Sequence, residues 1–191
     1  MAVLLFTPAA KAGLLTTGPA AVCDTSVVQP FTPWGDQSSY VLIPGGSFEA
    51  GTTSWTRTGE ASIAKGNETY FVHSTADSHS LVLPPGSSVT TPSMCFATGD
   101  WHLRLFAVNT GTPSSLKVTV IVRSLVGVLS FLDGGKVSST GSWQPSDELH
   151  LTLTNVTGLL GTQAVSFRFT PTGYSGSWRI DDVYLDPWVS T

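Results

Sequence analysis

Hydrophobic and polar positions alternate in short runs along most of the chain, and Gly, Pro, Asn and Ser punctuate the runs. A period of two is the signature of a strand with one buried face. In "WHLRLFAVN" (101–109), Trp101, Leu103, Leu105 and Ala107 share a face; in "SLKVTVIVRS" (115–124), Leu116, Val118, Val120 and Val122 do so. Leu149, Leu151 and Leu153 form a third set in "ELHLTLTNV" (148–156), and Val165, Phe167 and Phe169 a fourth in "AVSFRFTP" (164–171). Further strands are predicted over 39–44, 69–74, 79–84, 87–96, 127–133 and 177–187. The stretches 54–59 and 60–66 read as a pair, and "DGG" (133–135) as a turn. Helical periodicity is confined to the N-terminal arm.

About ten short strands, one every ten residues or so, predict an all-β domain: an antiparallel β-sandwich or jelly roll. The sandwich is expected over 38–188. An irregular, Pro-punctuated lead-in over 23–37 lies along it, preceded by residues 1–22 as a degenerate signal peptide or a flexible arm.

The faces opposite the core sets carry His102, Arg104, Lys117, Arg123, His150 and Arg168. If those strands are neighbours, they make a polar, locally basic sheet surface on a chain with only 9 Lys and Arg. Such a surface is either a solvated outer face or a face that binds a sugar or an anionic group.

The composition narrows the setting. Charged residues are 12% of the 191, about half the usual share. Ser, Thr and Gly replace them, a balance suited to an extracellular β protein. A net charge of −4 argues against non-specific nucleic-acid binding. No apolar run approaches the roughly 18 residues of a membrane helix. Cys23 and Cys95 lack metal-ligand spacing. In a secreted protein they would form one disulfide between arm and body; otherwise they are two buried thiols. "NET" (67–69) and "NVT" (155–157) are glycosylation triplets that matter only in a compartment that performs the modification.

The last strand, "SWRIDDVYLDP" (177–187), poses a problem. Strict alternation puts Ile180, Asp182 and Tyr184 on one face and Asp181, Val183 and Leu185 on the other. Whichever face is core, one carboxylate goes inward, where it needs a partner.

Two stretches resemble a known family. "IPGGSFEAGTTSWTRTGEASI" (43–63), with Phe48, Glu49, Gly51, Trp55 and Gly59, and the closing "IDDV" are similar to the β-jelly-roll carbohydrate-binding modules of families 4, 9 and 22, within the galactose-binding-like superfold. "DSHSLVLPPG" (77–86) echoes a third stretch found between the two. The whole chain, with "QPFTPWGD", also resembles bacterial proteins predicted to be secreted, a likeness that brings no function with it. The first resemblance implies that the first and last strands lie close together. It also implies a structural Ca²⁺ near them, with Asp181 or Asp182 as the side-chain ligand and Glu49 as a weaker candidate. The competing reading is an Asp capping loop amides. The ligand expected from the resemblance is a glycan or cell-surface polysaccharide.

Catalysis lacks a motif. There is no G-x-S-x-G, no H-E-x-x-H and no P-loop. Adjacent Asp181 and Asp182 do not flank one glycosidic bond, and His73, His79, His102 and His150 lack metal spacing along the sequence. The sequence therefore points to a non-catalytic, secreted or surface-located glycan-binding module. The alternative is a structural or adhesive surface protein that meets another protein through the same sandwich.

Overall fold

The computed structural model describes residues 26–49, 54–96, 100–112, 114–124, 129–138, 140–152 and 163–189. In chain order its strands are β1 (Val41–Leu42), β2 (Thr56–Thr58), β3 (Ser62–Lys65), β4 (His79–Leu83), β5 (Ser88–Thr90), β6 (Met94–Phe96), β7 (Asp100–Asn109), β8 (Ser115–Arg123), β9 (Leu129–Ser138), β10 (Gln144–Pro145), β11 (Leu149–Thr152), β12 (Gln163–Pro171) and β13 (Trp178–Val189). A 3₁₀ turn over Thr32–Trp34 interrupts the lead-in. No helix among the described residues is long and apolar enough to cross a membrane.

Two antiparallel sheets face each other. One runs β10-β7-β13-β4-β3, with β1 also on β13 and β11 also on β7; the other runs β2-β5-β12-β8-β9, with β6 also on β12. The predicted core sets fill the space between them: Trp101, Leu103, Leu105 and Ala107 from one sheet meet Leu116, Val118, Val120, Val122, Val165, Phe167 and Phe169 from the other. Leu149 and Leu151 join them; Leu153 lies outside the described residues. This is the all-β jelly-roll sandwich that the alternation predicts.

The expected pair 54–59 and 60–66 does not form. β2 pairs with β5 in one sheet and β3 with β4 in the other, so the chain crosses between layers at that turn. "DGG" is not a turn either. β9 runs straight through it, and the register slips between Lys117 and Thr119 of β8. Glycine is needed there because a Cβ on Gly134 would meet Val118 Cγ1 at 3.0 Å and Val120 Cγ2 at 3.1 Å.

The first and last strands lie together, as the resemblance implies. Val41 opposes Leu185 and Leu42 opposes Tyr184. The contact continues past β1: the Ile43 amide donates to the Val183 carbonyl (2.9 Å), and the Val183 amide donates to the Gly46 carbonyl (3.2 Å). A Cβ on Gly46 would lie 2.8 Å from the Ile43 oxygen and 3.0 Å from the Val183 oxygen.

A second, smaller apolar cluster sits on the outer side of the seven-stranded sheet, where the lead-in folds over it. Phe31 and Tyr40 pack there against Phe106 and Tyr184. Phe31 stacks on Phe106 at 5.5 Å and meets Tyr40 edge-on at 5.0 Å.

Candidate functional site

The two acids of "IDDV" do not alternate. Asp181 opposes Phe106, and the next paired position on β13, Tyr184, opposes Arg104. Three steps on β13 thus match two on β7, a β-bulge centred on Asp182 and Val183. Asp182 takes a positive φ of 45°. Ile180 and Val183 both enter the main core, because Val183 spends its backbone groups on Ile43 and Gly46. Both carboxylates are left fully buried under the segment 66–78 that joins β3 to β4.

That segment contributes more acid. Glu68 is fully buried and Asp77 nearly so. The Glu68 carboxylate accepts from the Val72 amide (2.6 Å) and from the Tyr70 amide. The Glu68 amide donates to Asp181 Oδ2 (3.1 Å), and the Asp182 amide donates to Asp181 Oδ1 (3.0 Å). Asp182 Oδ2 accepts from the His73 amide (3.1 Å), whereas Asp182 Oδ1 is buried with no hydrogen-bond partner. His73 Nδ1 lies 2.7 Å from Asp77 Oδ2, and one ligand atom each of His73, Asp77 and Asp182 falls within 4.8 Å of the others. Burial, then the neighbouring Asp182 charge, pushes Asp181 up to about 9. Burial, then the Glu68 charge, raises Asp182 to about 7. With its pKa so raised, Asp181 holds a proton at neutral pH when no cation is bound; the neighbouring Asp182 and Asp77 carboxylates, with one Asp182 oxygen unsatisfied, also fit a divalent cation of calcium type.

These carboxylates explain why 69–74 is not the predicted strand. Glu68 and Asp182 take the amides of Tyr70, Val72 and His73 that a sheet ladder would need. Glu49 sits apart from this network: its carboxylate accepts from the amides of Ser78 and His79, each at 2.6 Å. Burial opposes its ionisation, but hydrogen bonds from His79 and those amides outweigh it and lower the pKa.

The six polar residues predicted for one face are divided between two. Lys117, Arg123 and Arg168 lie on the outer face of the six-stranded sheet; His102, Arg104 and His150 lie on the outer face of the other. Alternation says which residues share a strand face but not which sheet a strand joins. Arg104 is buried and held on both sides. Its Nη1 donates to Asp36 Oδ2 (2.7 Å), its Nε and Nη2 donate to the Ser146 carbonyl, and its guanidinium stacks 4.2 Å over Phe31. It anchors the lead-in, with three of its five N–H donors spent on Asp36 and Ser146. Burial opposes ionisation of Asp36, but hydrogen bonds from Tyr40, Ser38 and Arg104 outweigh it and bring its pKa to about 2.

The outer face of the six-stranded sheet is open. Register aligns Thr56, Thr90, Arg168 and Thr119 in one row across four strands, and Ser166, Ile121 and Phe131 in the next. Arg168 Nε reaches Thr90 Oγ1 (3.3 Å), and its guanidinium lies 5.9 Å from the Phe131 ring centre. Phe131 is 57% exposed. Thr56, Thr90, Ile121, Phe131, Ser166 and Arg168, with Arg123, line an open groove. Sequence reading missed Phe131; its place between Ser130 and Leu132 on a strand surface was the available signal. Trp55 and Trp178 are buried in the core, as their motif positions suggest. The predicted Cys23–Cys95 disulfide lies outside the described residues on the Cys23 side.

No protein-family model matches the chain, and no curated protein matches it by sequence. Solved structures do match in fold. The N-terminal tandem family 22 carbohydrate-binding modules of Xyn10C from Paenibacillus barcinonensis align at TM-score 0.53 and 14% identity, over 81% of this chain and 47% of that one. The family 22 and glycoside hydrolase 10 modules of Clostridium thermocellum endo-1,4-β-D-xylanase 10B, complexed with xylohexaose, align at 0.53 and 10%, over 71% and 26%. An arabinose-bound α-L-arabinofuranosidase, MgGH51, aligns at 0.51 and 16%, over 76% and 26%. The chain has the jelly-roll fold of carbohydrate-binding modules.

Proposed function

We propose that the chain is a non-catalytic glycan-binding module that works outside the cell and recognises its ligand on the outer face of the six-stranded sheet. The observation that carries this is Phe131, an exposed aromatic ring on an open sheet face beside Arg168, Arg123 and a row of threonine hydroxyls. Sugar recognition needs an apolar platform for the C–H face and polar groups for the hydroxyls, and this groove offers both. Phe131 supplies the platform; Arg168, Arg123 and the hydroxyls of Thr56, Thr90 and Ser166 supply the polar contacts, with Lys117 farther along the face.

A calcium-type cation belongs to the same reading. Asp182 would hold it, with the Asp77 carboxylate beside it. When bound, it offsets their buried charge and ties the 66–78 segment to the last strand. Affinity electrophoresis against a panel of soluble polysaccharides tests the binding role: retention by at least one neutral or acidic glycan is expected, and retention by none contradicts it.

A further inference from the structure

The seven-stranded sheet carries a second cluster that the glycan groove does not use. His102 on β7 and His150 on β11 are direct cross-strand partners, and their rings meet edge-on at 4.1 Å. Glu148, just before β11, closes the group: its Oε2 lies 3.3 Å from His102 Nδ1 and 3.8 Å from His150 Nε2. One ligand atom from each of the three falls within 4.8 Å of the others. Asp186 of β13 stands opposite His102 on its other side, so two imidazoles and a carboxylate form one row across three strands.

Both rings converge on the same carboxylate oxygen. Around Zn²⁺, with N and O ligands at about 2.0–2.1 Å, neighbouring ligand atoms of a tetrahedron stand about 3.3 Å apart. The spacings of 3.3 and 3.8 Å are near that edge, so small side-chain adjustments close the cage. The three ligands are unequally anchored: His102 is buried, Glu148 is partly exposed and His150 is 59% exposed at its side chain. The group opens onto a cleft lined by Trp34, Asp36, Arg104 and Asp147, which leaves room for a further ligand from solvent.

We infer that His102, Glu148 and His150 form a binding site for a divalent transition metal, of the Zn²⁺ class, with an open coordination position facing the cleft. Imidazole donors select for borderline ions over Ca²⁺, which prefers oxygen. The site is thus distinct in chemistry and place from the buried acids of β13, and it does not depend on the glycan reading.

The test is calorimetric titration of Zn²⁺ into the chelator-treated full chain at pH 7.5, with Ca²⁺ in excess. Absorption of the Co²⁺ complex serves as an independent readout of nitrogen ligation. One equivalent should bind. His150→Ala and Glu148→Gln, both at sites that reach solvent, should weaken it by at least the roughly 10–100-fold that loss of a mere supporting group costs. His73→Ala should leave it unchanged. Absence of stoichiometric binding would overturn the inference. So would equal binding by wild type and both variants, or loss in His73→Ala alone, which would place the ion at the other cluster.

Discussion

Nη1 of Arg104 donates to Oδ2 of Asp36 at 2.7 Å and so ties the lead-in to β7 of the seven-stranded sheet. Both side chains are more than nine-tenths buried, and Arg104 Nε and Nη2 donate to the Ser146 carbonyl. Removing one partner leaves the other charge buried and unpaired. Arg104→Ala is therefore expected to cost about 3–5 kcal/mol in chemical denaturation. Glycan binding, measured below its melting temperature, should persist, because the groove lies on the opposite sheet. An Arg104→Ala variant of full stability that fails to bind would place the site on the wrong face.

Asp181 and Asp182 give the protein an unusual pH dependence when no cation is present. Their pKa values stand at about 9 and about 7 in the fold, against about 3.9 for an unfolded Asp. Between those limits the folded chain binds more protons than the unfolded one, so stability falls as pH rises. In EDTA the melting temperature should decline from pH 5 to pH 9, and the double variant Asp181→Asn, Asp182→Asn should flatten that slope. A melting temperature that rises across this range would contradict the buried, uncompensated state of the pair.

Added Ca²⁺ should reverse the decline. A ligand that binds only the folded state adds about 2.7 kcal/mol at a hundred times its dissociation constant. The gain should be largest near pH 8 and absent in Asp182→Asn. Identical melting curves in EDTA and Ca²⁺ would return both acids to a protonated pair with amide donors.

Gly46 sits where the first motif touches the last strand. Gly46→Ala drives a methyl to within 2.8–3.0 Å of two backbone oxygens that have little freedom to move. A loss of about 1–3 kcal/mol is expected from such overpacking. Gly86→Ala, at a position with open space around it, controls for glycine chemistry as such, although its φ of 77° carries a strain of its own.

Much of the sandwich was legible because period-two alternation follows directly from strand geometry. Trp101, Leu103 and Leu105 face the core as read, and so do Val118, Val120 and Phe167. What alternation does not carry is the partnership of strands. Lys117 and Arg104 read as members of one surface yet belong to opposite layers. The pairing of His102 with His150 depends on β11 lying beside β7, so their separation along the chain conceals it. "TYFVHS" has strand composition, but the carboxylates of Glu68, just before it, and of distant Asp182 claim its amides. "IDDV" predicted buried acid correctly; the bulge that buries both depends on Ile43 and Gly46 seizing Val183, a contact no local pattern encodes.

Glycan recognition on the six-stranded face is tested most directly by titrating wild type and Phe131→Ala against whichever polysaccharide retains the wild type. Phe131 is exposed, so its loss should leave the melting temperature nearly unchanged while affinity falls about tenfold, the worth of one stacked ring. Unchanged affinity in a folded Phe131→Ala protein would contradict recognition on this face.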